Sequence, residues 1–164
     1  MLSPRSSNPA PPTLLEMLPD TVVDVAEQAF FAWAERCDGV DLSDFARGSD
    51  AAPAALRWLG ARVEFTGAIA GSLEVLLTAD LADELGVVMM GETAGDDLPE
   101  AQLKDVAGEM ANILCGALLR RAGHEYRLKP PETCVAAAPS SADGYMLFFV
   151  NERPLLVRPS VEQE

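Results

Sequence analysis

Pro99 and Gly123 bracket the segment that most restricts how this chain can fold. Proline is tolerated in the first turn of a helix, and glycine just past the end is a natural stop. Between them, Leu103, Val106, Ala107, Met110, Ile113, Leu114, Ala117 and Leu118 recur at helical spacing and form one broad apolar stripe. A helix of this length with one such stripe must lie across a core. On the opposite side, Asp105, Glu109 and Asn112 stand at i, i+4 and i+7, so their side chains follow one line of the surface. Small residues flank that line: Gly108, Ala111, Cys115 and Gly116. Each interior glycine costs the helix about 1 kcal/mol relative to alanine. The residues by themselves leave three readings open. The low, smooth ridge admits another backbone, a neighbouring helix of the same chain packs there, or the ridge is simply solvated.

The rest of the chain supplies a sheet for that helix. In ARVEFTG, Ala61, Val63 and Phe65 alternate with Arg62, Glu64 and Thr66; in SLEVLLT, Leu73, Val75 and Leu77 alternate with Ser72, Glu74 and Leu76. Gly67 and Gly71 mark the turn of a hairpin with one buried face. A short helix over about residues 80 to 90 follows, capped by Thr78 or Asp80, and GETAGDD is a loop. Upstream, Pro19, Asp20 and Thr21 read as the entry to a first helix. It carries Val22, Val25, Ala26, Ala29, Phe30 and Trp33 on one face and ends near Cys37. Residues 38–53 read as a polar loop, and ETCVAAA, YMLFFV and PLLVR as late strands. Strands in adjacent runs imply a largely antiparallel sheet packed against two long helices and one short one, an α+β arrangement. One domain over 14–158 is expected, with a disordered proline-rich tail at 1–13 and a frayed end at 159–164.

Composition narrows the functions. With 26 acidic and 12 basic side chains in 164 residues, the net charge of −14 disfavours nucleic acid and anionic membranes as partners. No apolar run reaches membrane-spanning length, and the start lacks the apolar stretch of a secretory signal, so the cytoplasm is the expected compartment. Cys37, Cys115 and Cys134 are scattered without a CxxC pair, so neither a disulfide framework nor a metal site is expected. Cys115 stands close to Glu109 and Asn112 and is a conceivable nucleophile, but the one histidine, His124, falls at a helix end and suits the helix dipole there.

The run DVAGEMANILCG, residues 105–116, resembles the signature of the CheC/CheX/FliY family of chemotaxis phosphatases: Asp or Ser, three residues, Glu, two residues, Asn, with a glycine four further on. The preceding VEFTGAIAGSLEVLL and DLADELGVVMMG look like that family's hairpin and short helix, and the likeness covers about residues 55–150. No second copy of the motif fits the first helix, where Gln28 and Phe31, or Asp24 and Glu27, take the Glu and Asn places. One motif per chain resembles the CheX branch, which implies a homodimer. The family places a proline some two dozen residues after the Asn; here Pro130 and Pro131 come sooner and Pro139 later.

The resemblance implies a phosphatase acting on the phospho-aspartate of a CheY-type response regulator. The phosphorylated Asp and its Mg²⁺ belong to that partner, so this chain binds no cofactor and no metal of its own. Asn112 is then the residue that holds the attacking water, and Glu109 pairs with the lysine of the regulator's phosphate pocket. Asp105 has a peripheral aligning role, and Gly108 and Gly116 give the partner's loops room. A competing expectation is a module of the same fold that docks a regulator or forms dimers without catalysis. A third is an unrelated small α+β enzyme using Cys115 or His124.

Overall fold

The structure, a computed structural model, describes residues 13–38, 57–91, 98–123, 125–137 and 144–162. Helix α1 spans Leu14–Phe30, earlier than the sequence pattern suggested at either end. Its start is a capping box: the Thr13 hydroxyl accepts from the Glu16 N–H, and the Glu16 carboxylate accepts from the Thr13 N–H. Pro19, expected at the entry, lies inside the helix. The helix stops because Phe31 turns left-handed at φ 51°, and the Ala32 N–H then bonds back to the Ala26 carbonyl at 2.8 Å. Trp33, placed on the core face by periodicity, is instead beyond the helix and 63% exposed. Residues Ala34–Cys37 leave the helix altogether as strand β1.

Strands β2 (Trp58–Gly67) and β3 (Gly71–Thr78) form the expected hairpin, with Ala61 opposite Val75 and Val63 opposite Leu73. Helix α2 (Ala79–Met90) is capped by the Thr78 hydroxyl, which accepts from the Leu81 N–H. Helix α3 (Glu100–Arg121) has Pro99 at its N-cap, one position outside the first turn, and left-handed Gly123 (φ 75°) beyond its end. Strands β4 (Tyr126–Leu128), β5 (Glu132–Ala136), β6 (Met146–Val150) and β7 (Arg153–Val161) complete a seven-stranded sheet. Its order is β1-β6-β7-β3-β2-β4, with β5 on the same edge of β2 as β4. Every pairing is antiparallel, so the α+β architecture reasoned from the sequence holds. Residues 159–161, expected to fray, are paired with β3, Val161 standing opposite Gly71. Of the tail expected at 1–13, Thr13 is instead the N-cap of α1, while residues 1–12, most of the 38–53 loop, and 92–97 lie outside the described residues.

One face of the sheet carries Leu59, Ala61, Val63, Phe65, Leu73, Val75, Leu77, Phe148, Val150, Leu155 and Val157 into a core shared with all three described helices. Alternation along each strand sends the other set of side chains to the far face. There a second cluster of Trp58, Leu147 and Leu156 is buried. Beside it Glu74 accepts from the Tyr145 hydroxyl at 2.9 Å and pairs with Arg158, whose guanidinium lies 4.3 Å from the Tyr145 ring centroid. Burial first, then the Glu74 carboxylate, pushes the Tyr145 phenol up to about 12.

The hairpin closes against β7 at Gly71, where an added Cβ would fall 2.0 Å from the Ser160 carbonyl oxygen and 2.9 Å from the Phe65 ring. Gly71→Ala should therefore force β3 and β7 apart and lower stability by about 1–3 kcal/mol, as overpacking does. Urea unfolding of the variant checks this; unchanged stability would show that the sheet end is looser than described.

Candidate functional site

Helix α3 is the element around which the site is built. Leu103, Val106, Ala107, Met110, Leu114 and Leu118 are buried in the core, as the wheel requires, and α3 packs on β2 and β3 with α1 and α2 beside it. Ile113 and Ala117, placed in the same stripe by the sequence pattern, are only partly buried and face α1 across a groove. Ala111 and Cys115, placed beside the ridge, are buried instead.

Asp105 and Glu109 are exposed and Asn112 is half-buried. The three stand on consecutive turns, so the line expected from the sequence exists in the fold. The two glycines have a different environment from the one expected. Both are buried, and what approaches them is the chain's own β4, the start of β5 and Pro131 between the two strands. A Cβ on Gly108 would lie 3.1 Å from the Thr133 methyl and 3.2 Å from the Pro131 ring. A Cβ on Gly116 would lie 3.6 Å from the Tyr126 hydroxyl and 3.9 Å from Leu128. The Tyr126 hydroxyl also donates to the Gly116 carbonyl at 3.3 Å. Room beside these glycines, expected to serve a partner's loops, is occupied at these distances by the chain's own residues. Gly108, Asn112 and Gly116 recur at i, i+4 and i+8, so the covering segment flanks Asn112 on one side.

This contact also accounts for the early proline. Pro131, some nineteen residues after Asn112, is seated against the motif helix one turn before Asn112. No sequence signal identified Tyr126 or Pro131 as neighbours of the ridge, because β4 is only three residues long. On the other side, α1 and α3 enclose a cavity of about 510 Å³ lined by Thr21, Asp24, Gln28, Ile113, Ala117 and Arg120, among others.

The alternative chemistry is not supported by its residues. Cys115 is buried, and burial pushes its thiol up to about 12, which leaves no thiolate nucleophile near neutrality. His124 lies outside the described residues. Among the described residues, no three His, Cys, Asp or Glu side chains converge to hold a metal ion, and no helix is long and apolar enough to cross a membrane. The ridge therefore offers two carboxylates, Asp105 and Glu109, and one carboxamide, Asn112, on a helix packed against the sheet, α1 and α2.

Comparison with known proteins points the same way. The family model described as chemotaxis phosphatase CheX matches residues 59–147, more than half of the chain. No curated protein matches it in sequence. Among solved structures, the chemotaxis protein CheX from Vibrio vulnificus is similar at a TM-score of 0.66 and 16% identity, over 94% of this chain and 100% of that one. The CheX–CheY–BeF3–Mg complex from Borrelia burgdorferi matches at 0.57 and 14% identity, over 92% and 99%. FliY from Thermotoga maritima matches at 0.53 and 12%, over 87% and 84%. At such identities the likenesses establish the fold.

Three outcomes follow from the site's packing. Gly116→Ala places its methyl at ordinary contact distance and should stabilise the chain by about 0.5–1 kcal/mol in urea unfolding, whereas Gly108→Ala must displace Thr133 and Pro131 and should gain less or nothing. In the native chain Cys134, which is exposed, should react with an aromatic disulfide reagent, and Cys115 only after unfolding. Because the folded Cys115 holds its proton to a higher pH than the unfolded chain does, its contribution to stability is full below about pH 8.5 and lost as pH rises toward 12. Stability measured through that range should fall more steeply for the wild-type chain than for Cys115→Ala.

Proposed function

The chain belongs to the CheX family of chemotaxis phosphatases, and from that premise we propose that it hydrolyses the phospho-aspartate of a CheY-type response regulator, with Glu109 and Asn112 as the catalytic pair. The observation that carries this reading is the placement of the two side chains. On a helix whose apolar side is buried in the core, Glu109 is exposed and Asn112 half-buried on the opposite side.

An acyl phosphate is already reactive. What it lacks in water is a nucleophile held in line with phosphorus at about 3 Å. The Asn112 carboxamide can hold one, since its carbonyl accepts a hydrogen from water while its NH₂ donates to an oxygen. Attack forms the new water-oxygen–phosphorus bond and breaks the bond from phosphorus to the regulator's carboxylate oxygen, releasing inorganic phosphate and the free carboxylate. A loose phosphoryl-transfer transition state needs little proton abstraction, so an orienting amide suffices, as the water-orienting glutamine of GTPases does. Glu109, exposed one turn earlier, is free to make a charge-assisted pair with the lysine of the regulator's phosphate pocket. Asp105, a further turn back, aligns the docked surface. Mg²⁺ is assigned to the regulator, and this chain's part is to bind, orient and hold water. One motif per chain further suggests a homodimer with one site in each copy, acting in the cytoplasm.

The solved CheX–CheY–BeF3–Mg complex is a relative's, and it supports the choice of partner. The reading is tested by following phosphate release from phosphorylated CheY-type regulators. Asn112→Ala should lower kcat by roughly a hundredfold with little change in KM, the scale of losing one positioned hydrogen-bonding group in a transition state. Glu109→Ala should lower kcat/KM by about tenfold or more. Two variants as active as the wild-type chain would refute the assignment. Tight binding to the phosphorylated regulator without any acceleration would select the non-catalytic docking module instead.

A further inference from the structure

Eight of the ten lysines and arginines among the described residues stand in ion pairs with Asp or Glu. The exceptions are Arg120 and Arg127. In a chain of net charge −14, an exposed arginine that no carboxylate among the described residues engages is the unusual case. Arg127 is on β4, and its neighbour Tyr126 turns toward α3 to reach the Gly116 carbonyl, so strand alternation sends Arg127 the other way. Arg120 is on α3 itself, and it continues the spacing of Asn112 and Gly116 at i+8. It stands about 12 Å along the helix axis from Asn112 at 1.5 Å per residue.

Arg120 also lines the cavity between α1 and α3, with Ile113 and Ala117 as its apolar floor. The opposite wall is held by the ion pair of Arg121 with Asp24 of α1. Glu109 precedes Ile113 by one turn of the same helix, so the groove opens directly from the proposed catalytic ridge. Three features coincide here: a concave surface with an apolar floor, an unengaged guanidinium at its rim, and continuity with Glu109 and Asn112.

We propose that this groove is the docking surface for the response regulator, and that Arg120 receives a carboxylate on the regulator's surface about 12 Å from its phospho-aspartate. The inference rests on the phosphatase reading and names the contact by which that partner is held. On a chain of net charge −14, one arginine without a carboxylate partner among the described residues is a local positive point against which a visiting carboxylate is oriented. Arginine suits the position because its planar guanidinium meets a carboxylate with two parallel bonds.

The test is titration calorimetry of the full chain against a panel of CheY-type regulators loaded with beryllofluoride and Mg²⁺. Arg120→Glu should weaken binding about tenfold and Arg120→Ala about threefold, with Arg120→Lys between the wild type and the alanine variant. Arg127→Glu, the same change of charge away from the groove, should bind as the wild-type chain does. Unfolding midpoints confirm that each variant is folded, which the exposure of both arginines favours. Wild-type affinity in Arg120→Glu, or equal losses in Arg120→Glu and Arg127→Glu, would overturn the docking assignment and leave the phosphatase reading standing. If the wild-type chain binds no regulator of the panel, both fall.

Discussion

The seating of Pro131 and Thr133 against Gly108 is the contact on which the geometry of the ridge depends. Helix α3 is buried against β2 and β3, flanked by α1 and α2, and covered on its remaining shoulder by the segment joining β4 to β5. Between that covering segment and the α1–α3 groove lies a narrow strip that holds Asp105, Glu109 and part of Asn112. A methyl at Gly108 would require Thr133 and Pro131 to give by a few tenths of an ångström beside Asn112. The glycine's cost in helix propensity is therefore offset by the definition it gives to its neighbours. Positioning chemistry gains from this, since a small displacement of an orienting group costs a large factor in rate.

The far face of the sheet serves the same end at a distance. Glu74, in the middle of β3, collects the Tyr145 hydroxyl and the Arg158 guanidinium, while Arg62 approaches it from β2 at 4.0 Å. These contacts cross β2, β3 and β7 and fix the register of the strands on which α3 lies. The Asn151–Glu152 turn between β6 and β7 does comparable work at the sheet's other end: Asn151 donates to Glu84 of α2, and its side-chain oxygen accepts from the Trp33 N–H, so one side chain ties α2, β1 and the hairpin together.

The parts of this fold that were legible in the sequence were those whose signal is periodic and long. The alternation in ARVEFTG and SLEVLLT fixed both the hairpin and its buried face, and the stripe on α3 fixed the ridge opposite it. What escaped was governed by single residues or distant contacts. The end of α1 depends on Phe31 taking a left-handed conformation, which a residue without glycine's freedom rarely does, so the apolar period ran on falsely to Trp33. Its start was legible in Thr13 and Glu16 as a capping box, but Pro19 competed as an entry signal. Strands β1 and β4, at four and three residues, exist because β6 and β2 offer them an edge, and no local pattern announces that. The glycines stand out in the sequence as small positions beside the ridge, yet only the fold shows that β4 and β5 lie against them.

The chemical division along the ridge follows from the charge of the whole chain. A phosphoryl group brings negative charge to a surface that already carries a large acidic excess. A carboxylate in contact with that group would add repulsion at the moment when charge must be tolerated; a carboxamide offers the same hydrogen-bonding atoms without it. The anionic member of the pair is best placed one turn away, against a cation of the partner rather than against phosphorus. Asn112 half-buried beside the β4–β5 segment and Glu109 exposed beside the α1–α3 groove match that division. In the proposed function, the order of the two residues along α3 thus carries a physical requirement: the neutral group is the one to face the phosphate, and the charged group the one to face the protein that presents it.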